Sequence, residues 1–179
     1  MSLDNESRHI LVAFNIPSSL RVYRINKDFA PGEEVPQASM DCGIYAHQVR
    51  TTPDGKHVVL GTRGNEGTAK NPEDPGALMV WDYTNGVLSN QYKIAPNGGR
   101  GYGPRHLDFH PTKPWMYVSI ETQNQMHMLR PMLFLLRLST AKQYDSPFTL
   151  GSKRRVVSPS GKLSIFTTSA PRSPSTIVQ

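Results

Sequence analysis

The sequence VRTTPDGKHVVL at residues 49–60 returns in outline as LDFHPTKPWMYV at residues 107–118, an offset of 58 residues. Each copy contains a short strand, a tight turn with a proline, and a second strand rich in β-branched or aromatic residues. That order of elements is typical of a β-hairpin. Hairpins that recur at periods of roughly 40 to 50 residues are typical of propeller blades, so the sequence predicts a repeat protein built from sheets.

Other strands fit the same frame. Residues 9–14 resemble the second strand of the repeat, and residues 20–25 resemble the third strand. Matching third strands follow at residues 77–81 and 125–128, and a weaker hint of another copy lies at residues 156–165. The sequence therefore predicts three to four blades of antiparallel strands.

A polar stretch rich in Gly and Pro, residues 63–75, explains why the spacing is longer than one ordinary blade. Such a composition indicates a surface loop inserted between two strands.

We predict an all-β fold, a partial β-propeller over residues 1–128. Because a closed propeller takes about four to eight blades, we expect a ring cut short, whose open blade edges are covered by self-association.

The remaining residues, 129–179, differ from the repeats in charge and pattern. They carry eight basic residues and one acidic residue, a net charge of +7, whereas residues 1–128 sum to −1. The apolar run at residues 129–138 is too short to cross a membrane, which needs about 20 apolar residues. We interpret this segment as an irregular basic tail, either disordered or out of register with the blades. No nucleic-acid-binding module accompanies the charge, so we expect neither a nucleic-acid partner nor a membrane partner.

The N-terminus and the cysteine content bear on the compartment. Residues 1–8 are polar and lack the apolar core of a signal peptide, so we expect a cytoplasmic location. Cys42 is the single cysteine, which excludes an intramolecular disulfide. We expect its thiol to behave as a small, partly buried hydrophobe.

Four ionisable residues fall at equivalent positions of adjacent repeats. In a propeller blade, the start of the first strand and the end of the second strand lie at the same rim. Arg105 and Glu121 occupy those positions in one repeat, and the offset of 58 places His47 and Arg63 there in the preceding repeat. We therefore expect these four side chains to converge near the central channel.

The residues around this predicted cluster resemble a known family. The stretch GPRHLDFHP at residues 103–111, followed by MYVSIE at residues 116–121, is similar to the lactonase-type seven-bladed propellers. That family includes bacterial 6-phosphogluconolactonases and fungal carboxy-muconate lactonising enzymes. AHQV at residues 46–49 and PDGK at residues 53–56 also resemble the blade before. The resemblance covers residues 9–128.

The resemblance implies a catalytic set of His47, Arg105 and Glu121. A guanidinium can stabilise the negative charge that develops on a lactone carbonyl oxygen, and a carboxylate or an imidazole can activate water. With Arg105 nearby, Glu121 should stay ionised and act as a base, which leaves His47 as the better candidate acid. The alternative is that Arg105 and Glu121 form a structural ion pair at a blade edge.

Three further residues are predicted to contact the substrate: Arg63, Arg100 and His106. Arg100 lies in a Gly-rich connection, residues 98–103, that lacks the setting of a phosphate-binding loop. Because His106 and His110 lie four residues apart on a strand rather than on a helix, we expect no metal site there. The scheme requires no cofactor.

The function predicted from these features is hydrolysis of a small-molecule lactone, with 6-phosphogluconolactonase-like opening of a sugar lactone as the specific expectation. Two alternatives stay open: a propeller that serves as a non-enzymatic interaction module, and a truncated gene product without activity. The Trp-Asp pair typical of many scaffold propellers occurs once, at residues 81–82.

Overall fold

A computed structural model describes residues 1–130 and the backbone of Phe166–Thr167. The described residues form three antiparallel sheets of four strands each, which we call blades 1, 2 and 3. The strands of blade 1 are β1 (Ser2–Leu3), β2 (His9–Asn15), β3 (Ser18–Ile25) and β4 (Pro31–Glu34). The strands of blade 2 are β5 (Ala46–Thr51), β6 (His57–Thr62), β7 (Ala77–Thr84) and β8 (Val87–Ile94). The strands of blade 3 are β9 (Pro104–Phe109), β10 (Met116–Ile120), β11 (Gln125–Leu129) and β12 (Phe166–Thr167).

The strand register confirms the repeat. Val49 pairs with Leu60 in blade 2, and the residues 58 positions later, Leu107 and Val118, pair in blade 3. Backbone hydrogen bonds outside the strands repeat as well, because the Arg63 N–H donates to the Tyr45 carbonyl at 3.0 Å and the Glu121 N–H donates to the Gly103 carbonyl at 2.9 Å. The first two strands of blades 2 and 3 therefore pair in the same register, as the sequence predicted.

Two apolar layers hold the blades together, one on each side of blade 2. Side chains of β7 point alternately to the two layers, as in any strand buried on both faces. Met79 and Trp81 pack in the layer shared with blade 1, and Leu78 and Val80 pack in the layer shared with blade 3. All four are at most 1% exposed. The near-continuous apolar run ALMVW at residues 77–81 thus follows from the central position of this blade.

The first strands of the three blades lie side by side, since β5 contacts both β1 and β9. Their neighbouring termini define two rims. One rim carries the starts of β5 and β9 and the ends of β6 and β10. The opposite rim carries the turns from β1 to β2, from β5 to β6 and from β9 to β10, and also the turn from β7 to β8.

The fold confirms the all-β partial propeller, with three of the three to four blades expected, and it also confirms the loop at residues 63–75 between β6 and β7. Cys42 is 8% exposed and packs in the apolar layer between blades 1 and 2, as expected. Arg105 is the second residue of β9, because the pairing of Pro104 with Ile120 begins the strand at Pro104. The hint of a further copy at residues 156–165 lies outside the described residues, as does most of the tail. Two tail residues, Phe166–Thr167, pair with β11 at the edge of blade 3.

Candidate active site at the interface of blades 2 and 3

A chain of hydrogen bonds joins the four ionisable residues across the interface between two blades. The Arg105 Nε–H donates to His47 Nε2 at 2.9 Å, and Arg105 Nη1 donates to Glu121 Oε1 at 2.8 Å. The other oxygen of Glu121, Oε2, accepts a hydrogen bond from Arg63 Nε at 2.9 Å. The structure therefore brings together all four residues that the repeat offset placed at one rim.

Arg105 is fixed on two edges and open on the third. Its hydrogen bonds use Nε and Nη1, and Nη2 has no partner among residues 1–130. Its side chain is 43% exposed, whereas that of Arg63 is 20% exposed. Arg105 is thus held in one orientation, with the N–H groups of Nη2 left over to bind another molecule.

His47 is a neutral hydrogen-bond acceptor in this arrangement. Burial lowers its pKa below the ordinary value, and the nearby guanidinium of Arg105 lowers it further. Because a guanidinium has donors only, His47 Nε2 must accept, which puts the ring proton on Nδ1. Nδ1 is buried and has no hydrogen-bond partner in the described part of the chain. These features argue against the predicted role of His47 as an acid and favour a role in holding Arg105.

This electrostatic effect gives a direct prediction for the free protein. By NMR, the His47 imidazole should titrate below 6.5, the ordinary value for histidine. Arg105→Gln should raise the pKa of His47, because it removes the neighbouring positive charge. Arg50→Gln is the matched control, since Arg50 lies on the same strand as His47, β5, but pairs with Asp108 instead. Titration of His47 above 6.5, or the same shift in both variants, would contradict the assigned hydrogen bond.

His106 lies next to His47 on the partner blade. The two rings meet edge to face, with centroids 4.8 Å apart and an angle of 82°. The side chain of His106 is exposed, and its backbone N–H donates to Ser119 Oγ at 3.0 Å. His106 therefore borders the cluster from the solvent side, while its role as a substrate contact stays a prediction.

Arg100 is the one predicted site residue that the structure does not place in the cluster. Its Nη1 donates to the backbone carbonyl of Glu73 at 3.0 Å, which ties the connection before β9 to the loop between β6 and β7. The same connection reaches the site one residue later, because Thr122 Oγ1 and Gln123 Nε2 donate to the Gly101 carbonyl at 2.8 and 2.7 Å. Arg100 thus lies beside the turn that follows Glu121.

Two residues of the cluster were missed by sequence reasoning. Tyr45 adopts a left-handed φ of 58°, stacks on His47, and lies under the guanidinium of Arg63 at 5.5 Å from the ring centroid. Glu66 accepts a hydrogen bond from Arg63 Nη2 at 3.3 Å. Neither residue carries a sequence signal, because a positive φ at tyrosine and the path of the loop after Arg63 both depend on the folded structure.

An open pocket of about 280 Å³ begins at this cluster. Its lining includes Arg105 and Glu121 together with Ser119, Asn124 and Gln125. The pocket thus collects a cation, an anion and neutral polar groups at one site, a composition that suits a polar small molecule.

Within residues 1–130, no group of three or more His, Cys, Asp or Glu side chains is arranged to hold a metal ion. None of the helices in the described part of the chain has the length and apolar character needed to cross a membrane.

Comparisons with known proteins support the same architecture. In structure, the chain is similar to a chain of hydrazine synthase from Kuenenia stuttgartiensis, with a TM-score of 0.56 and 13% sequence identity. The superposition covers 77% of this chain and 42% of that chain, so this protein spans less than half of the relative's length, and the likeness shows the fold alone. No curated protein matches the sequence. The sequence model of the lactonase family, described as a seven-bladed β-propeller, matches residues 1–146, which extends beyond the predicted boundary at residue 128. With a family match over most of its length and three blades in place, the chain belongs to the lactonase family of seven-bladed β-propellers.

Proposed function

We propose that this protein hydrolyses a lactone, and that the substrate is a sugar lactone of the 6-phosphogluconolactone type. The main observation behind this proposal is that Arg105 and Glu121 line the same pocket, and that Nη2 of Arg105 is an unused donor. Membership of the lactonase family supports the reaction class. The scheme uses no cofactor, and a cytoplasmic location suits such a substrate.

Arg105 is proposed to stabilise the developing oxyanion. Attack on the lactone carbonyl moves negative charge to its oxygen, and a fixed donor aimed at that oxygen stabilises the transition state. His47 and Glu121 hold the guanidinium by two hydrogen bonds, so little reorganisation is needed when the charge develops. Nη2 is the donor left for the substrate.

Glu121 is proposed to activate the attacking water. A carboxylate offers about four acceptor positions, and the two arginines use one on each oxygen. A water bound at a remaining position transfers its proton to Glu121 as its oxygen attacks the carbonyl carbon. When the bond between that carbon and the ring oxygen breaks, Glu121 returns the proton to the ring oxygen. The product is an open-chain hydroxy acid.

The substrate contacts are proposed from position. Arg63 and His106 border the catalytic residues directly, because Arg63 binds Glu121 and the exposed His106 ring packs against His47. Arg100 lies on the connection whose Gly101 carbonyl is bound by the turn after Glu121. We propose that Arg63, His106 and Arg100 contact the hydroxyl or anionic groups of the sugar.

The test is hydrolysis of 6-phosphoglucono-δ-lactone and of glucono-δ-lactone, measured against the rate in buffer. Arg105→Ala should lower kcat/KM by about 100-fold or more, because it removes the donor to the oxyanion. Glu121→Gln should lower kcat by about 100-fold or more, since it removes the base. Arg50→Ala is the control, because that residue also pairs across blades 2 and 3 but lies outside the pocket; its kcat/KM should stay close to that of the unchanged protein.

A correctly folded chain whose rate equals that of buffer for both lactones would refute the hydrolytic function.

The rival function, an interaction module, is favoured by exposed apolar side chains on the outward sides of the end blades. Phe14 on blade 1 is 42% exposed and Met126 on blade 3 is 51% exposed. We propose that self-association covers these sides in either case.

A further inference from the structure

A second polar pocket lies at the rim opposite the candidate active site. It has a volume of about 340 Å³ and is lined by Arg8, His9, Arg24, Ile25 and Asn85. Its position follows from the topology, since the pocket residues come from the β1–β2 turn and the first residue of β2, from the end of β3 and from the β7–β8 turn. The pocket therefore lies between blades 1 and 2, separate from the residues proposed for lactone hydrolysis.

His9, which lines the pocket, is held from behind by the buried side chain of Asp4. His9 is 4% exposed, and its Nδ1 lies 2.8 Å from Asp4 Oδ2. Tyr83 donates its hydroxyl hydrogen to the same oxygen at 3.0 Å, so the carboxylate is held from two sides. These contacts fix the His9 ring with Nδ1 toward Asp4. His9 Nε2, on the other side of the ring, has no hydrogen-bond partner in residues 1–130.

Gly86 leaves room next to this free nitrogen. A Cβ atom at position 86 would lie 2.8 Å from His9 Nε2, and the backbone there has a φ of 87°, which favours glycine. The turn between β7 and β8 thus approaches the ring without blocking it. His9 is therefore a largely buried side chain with one ring nitrogen held by Asp4, and it lines the pocket where a ligand can reach the other.

Two guanidinium groups complete the pocket. Arg24 is exposed and makes neither a hydrogen bond nor an ion pair within residues 1–130. Arg8 donates to Asn85 Oδ1 at 3.1 Å and also pairs with Glu6, which offsets part of its charge. Arg24 is therefore the group with uncommitted donors, His9 adds an unpartnered ring nitrogen, and Arg8 adds a second guanidinium oriented by Asn85.

We propose that this pocket binds the phosphate group of a small molecule, through Arg8, Arg24 and Nε2 of His9. Planar guanidinium groups bind phosphate with paired hydrogen bonds, and the His9 nitrogen gives the third oxygen of a tetrahedral phosphate a polar contact. A carboxylate has only two oxygens and would leave one of the three groups without a partner. Because Nδ1 of His9 faces Asp4, Nε2 is the ring nitrogen that faces the phosphate, as a donor to an oxygen or as an acceptor from a P–OH group. This site does not depend on the proposed lactone hydrolysis.

The experiment is a titration of the full chain with inorganic phosphate at constant ionic strength, followed by NMR of the His9 imidazole and by calorimetry. We expect saturable shifts of the His9 resonances, with a Kd in the range of roughly 1 mM or below. Arg24→Gln should weaken binding about tenfold or more, because it removes a charged donor without removing any contact in the protein. Arg21→Gln is the matched control, since Arg21 lies on the same strand, is exposed, and pairs with Glu34 instead.

Three outcomes would count against the site or against phosphate as its ligand. Absence of saturable shifts up to roughly 10 mM phosphate would overturn it, and so would equal weakening by Arg21→Gln, which would indicate general charge attraction. Acetate that binds as tightly as phosphate would overturn the phosphate assignment. A titration with glucose 6-phosphate then separates free phosphate from a phosphate ester; binding tighter than that of inorganic phosphate supports an ester as the ligand.

Discussion

Replacing Asp4 with alanine is expected to lower the free energy of unfolding by about 3 kcal/mol, because it leaves buried donors without an acceptor. Asp4 Oδ1 accepts the backbone N–H groups of Arg8 and His9 at 2.7 and 3.1 Å, and Oδ2 binds the His9 ring and the Tyr83 hydroxyl. Asp4 is 6% exposed. Urea denaturation followed by circular dichroism measures the difference.

The control for Asp4 is Asp28→Ala. Asp28 accepts one exposed hydrogen bond, from the Ala30 N–H at 3.2 Å, so its loss should cost less than about 1 kcal/mol. Comparable losses for the two variants would show that the buried network adds nothing beyond a surface turn.

The Asp4 network also predicts a dependence on pH. Burial acts to raise the pKa of Asp4, but hydrogen bonds from His9, Arg8 and Tyr83 outweigh it and hold the pKa below 3.8. Because the folded state has the lower pKa, this stabilisation is complete well above 3.8 and is lost as the pH falls through the folded value. The difference in unfolding free energy between the unchanged protein and Asp4→Ala should therefore shrink in acid.

Trp81→Ala is expected to cost about 4 kcal/mol, because it leaves a large cavity in the layer between blades 1 and 2. The residue is 1% exposed and packs among the buried side chains of that layer. Thermal and urea unfolding, followed by circular dichroism, measure the loss. Phe14→Ala provides the matched control, since this aromatic residue is 42% exposed on the outward side of blade 1 and should cost less than about 1 kcal/mol. A change below about 1 kcal/mol for Trp81→Ala would mean that blades 1 and 2 do not depend on this packing.

The fold was largely predictable because its information is local. The repeated hairpin at residues 49–60 and 107–118 fixes strand type, turn and register, and the apolar run of β7 follows from burial on both faces. The meeting of Arg63, His47, Arg105 and Glu121 was predictable for a related reason. Equivalent positions in adjacent blades lie side by side at one rim.

The remaining parts of the site depend on contacts that no local pattern encodes. The roles of Tyr45 and Glu66 follow from a positive φ and from the path of a loop. The neutral state of His47 follows from burial and from the direction of the Arg105 side chain. The pocket at His9 joins two turns and the end of a strand, which a repeat of period 58 does not relate.

The ion pairs between blades 2 and 3 carry a consequence for the order of the blades. Arg50 pairs with Asp108, and Arg63 pairs with Glu121; in both pairs the partners are 58 residues apart, with the arginine on blade 2 and the acid on blade 3. Two identical copies of blade 2 placed side by side would set arginine against arginine at both positions. The charges therefore give these blades a polarity, because they favour an acidic neighbour on one side of blade 2 and disfavour a second copy of blade 2 there.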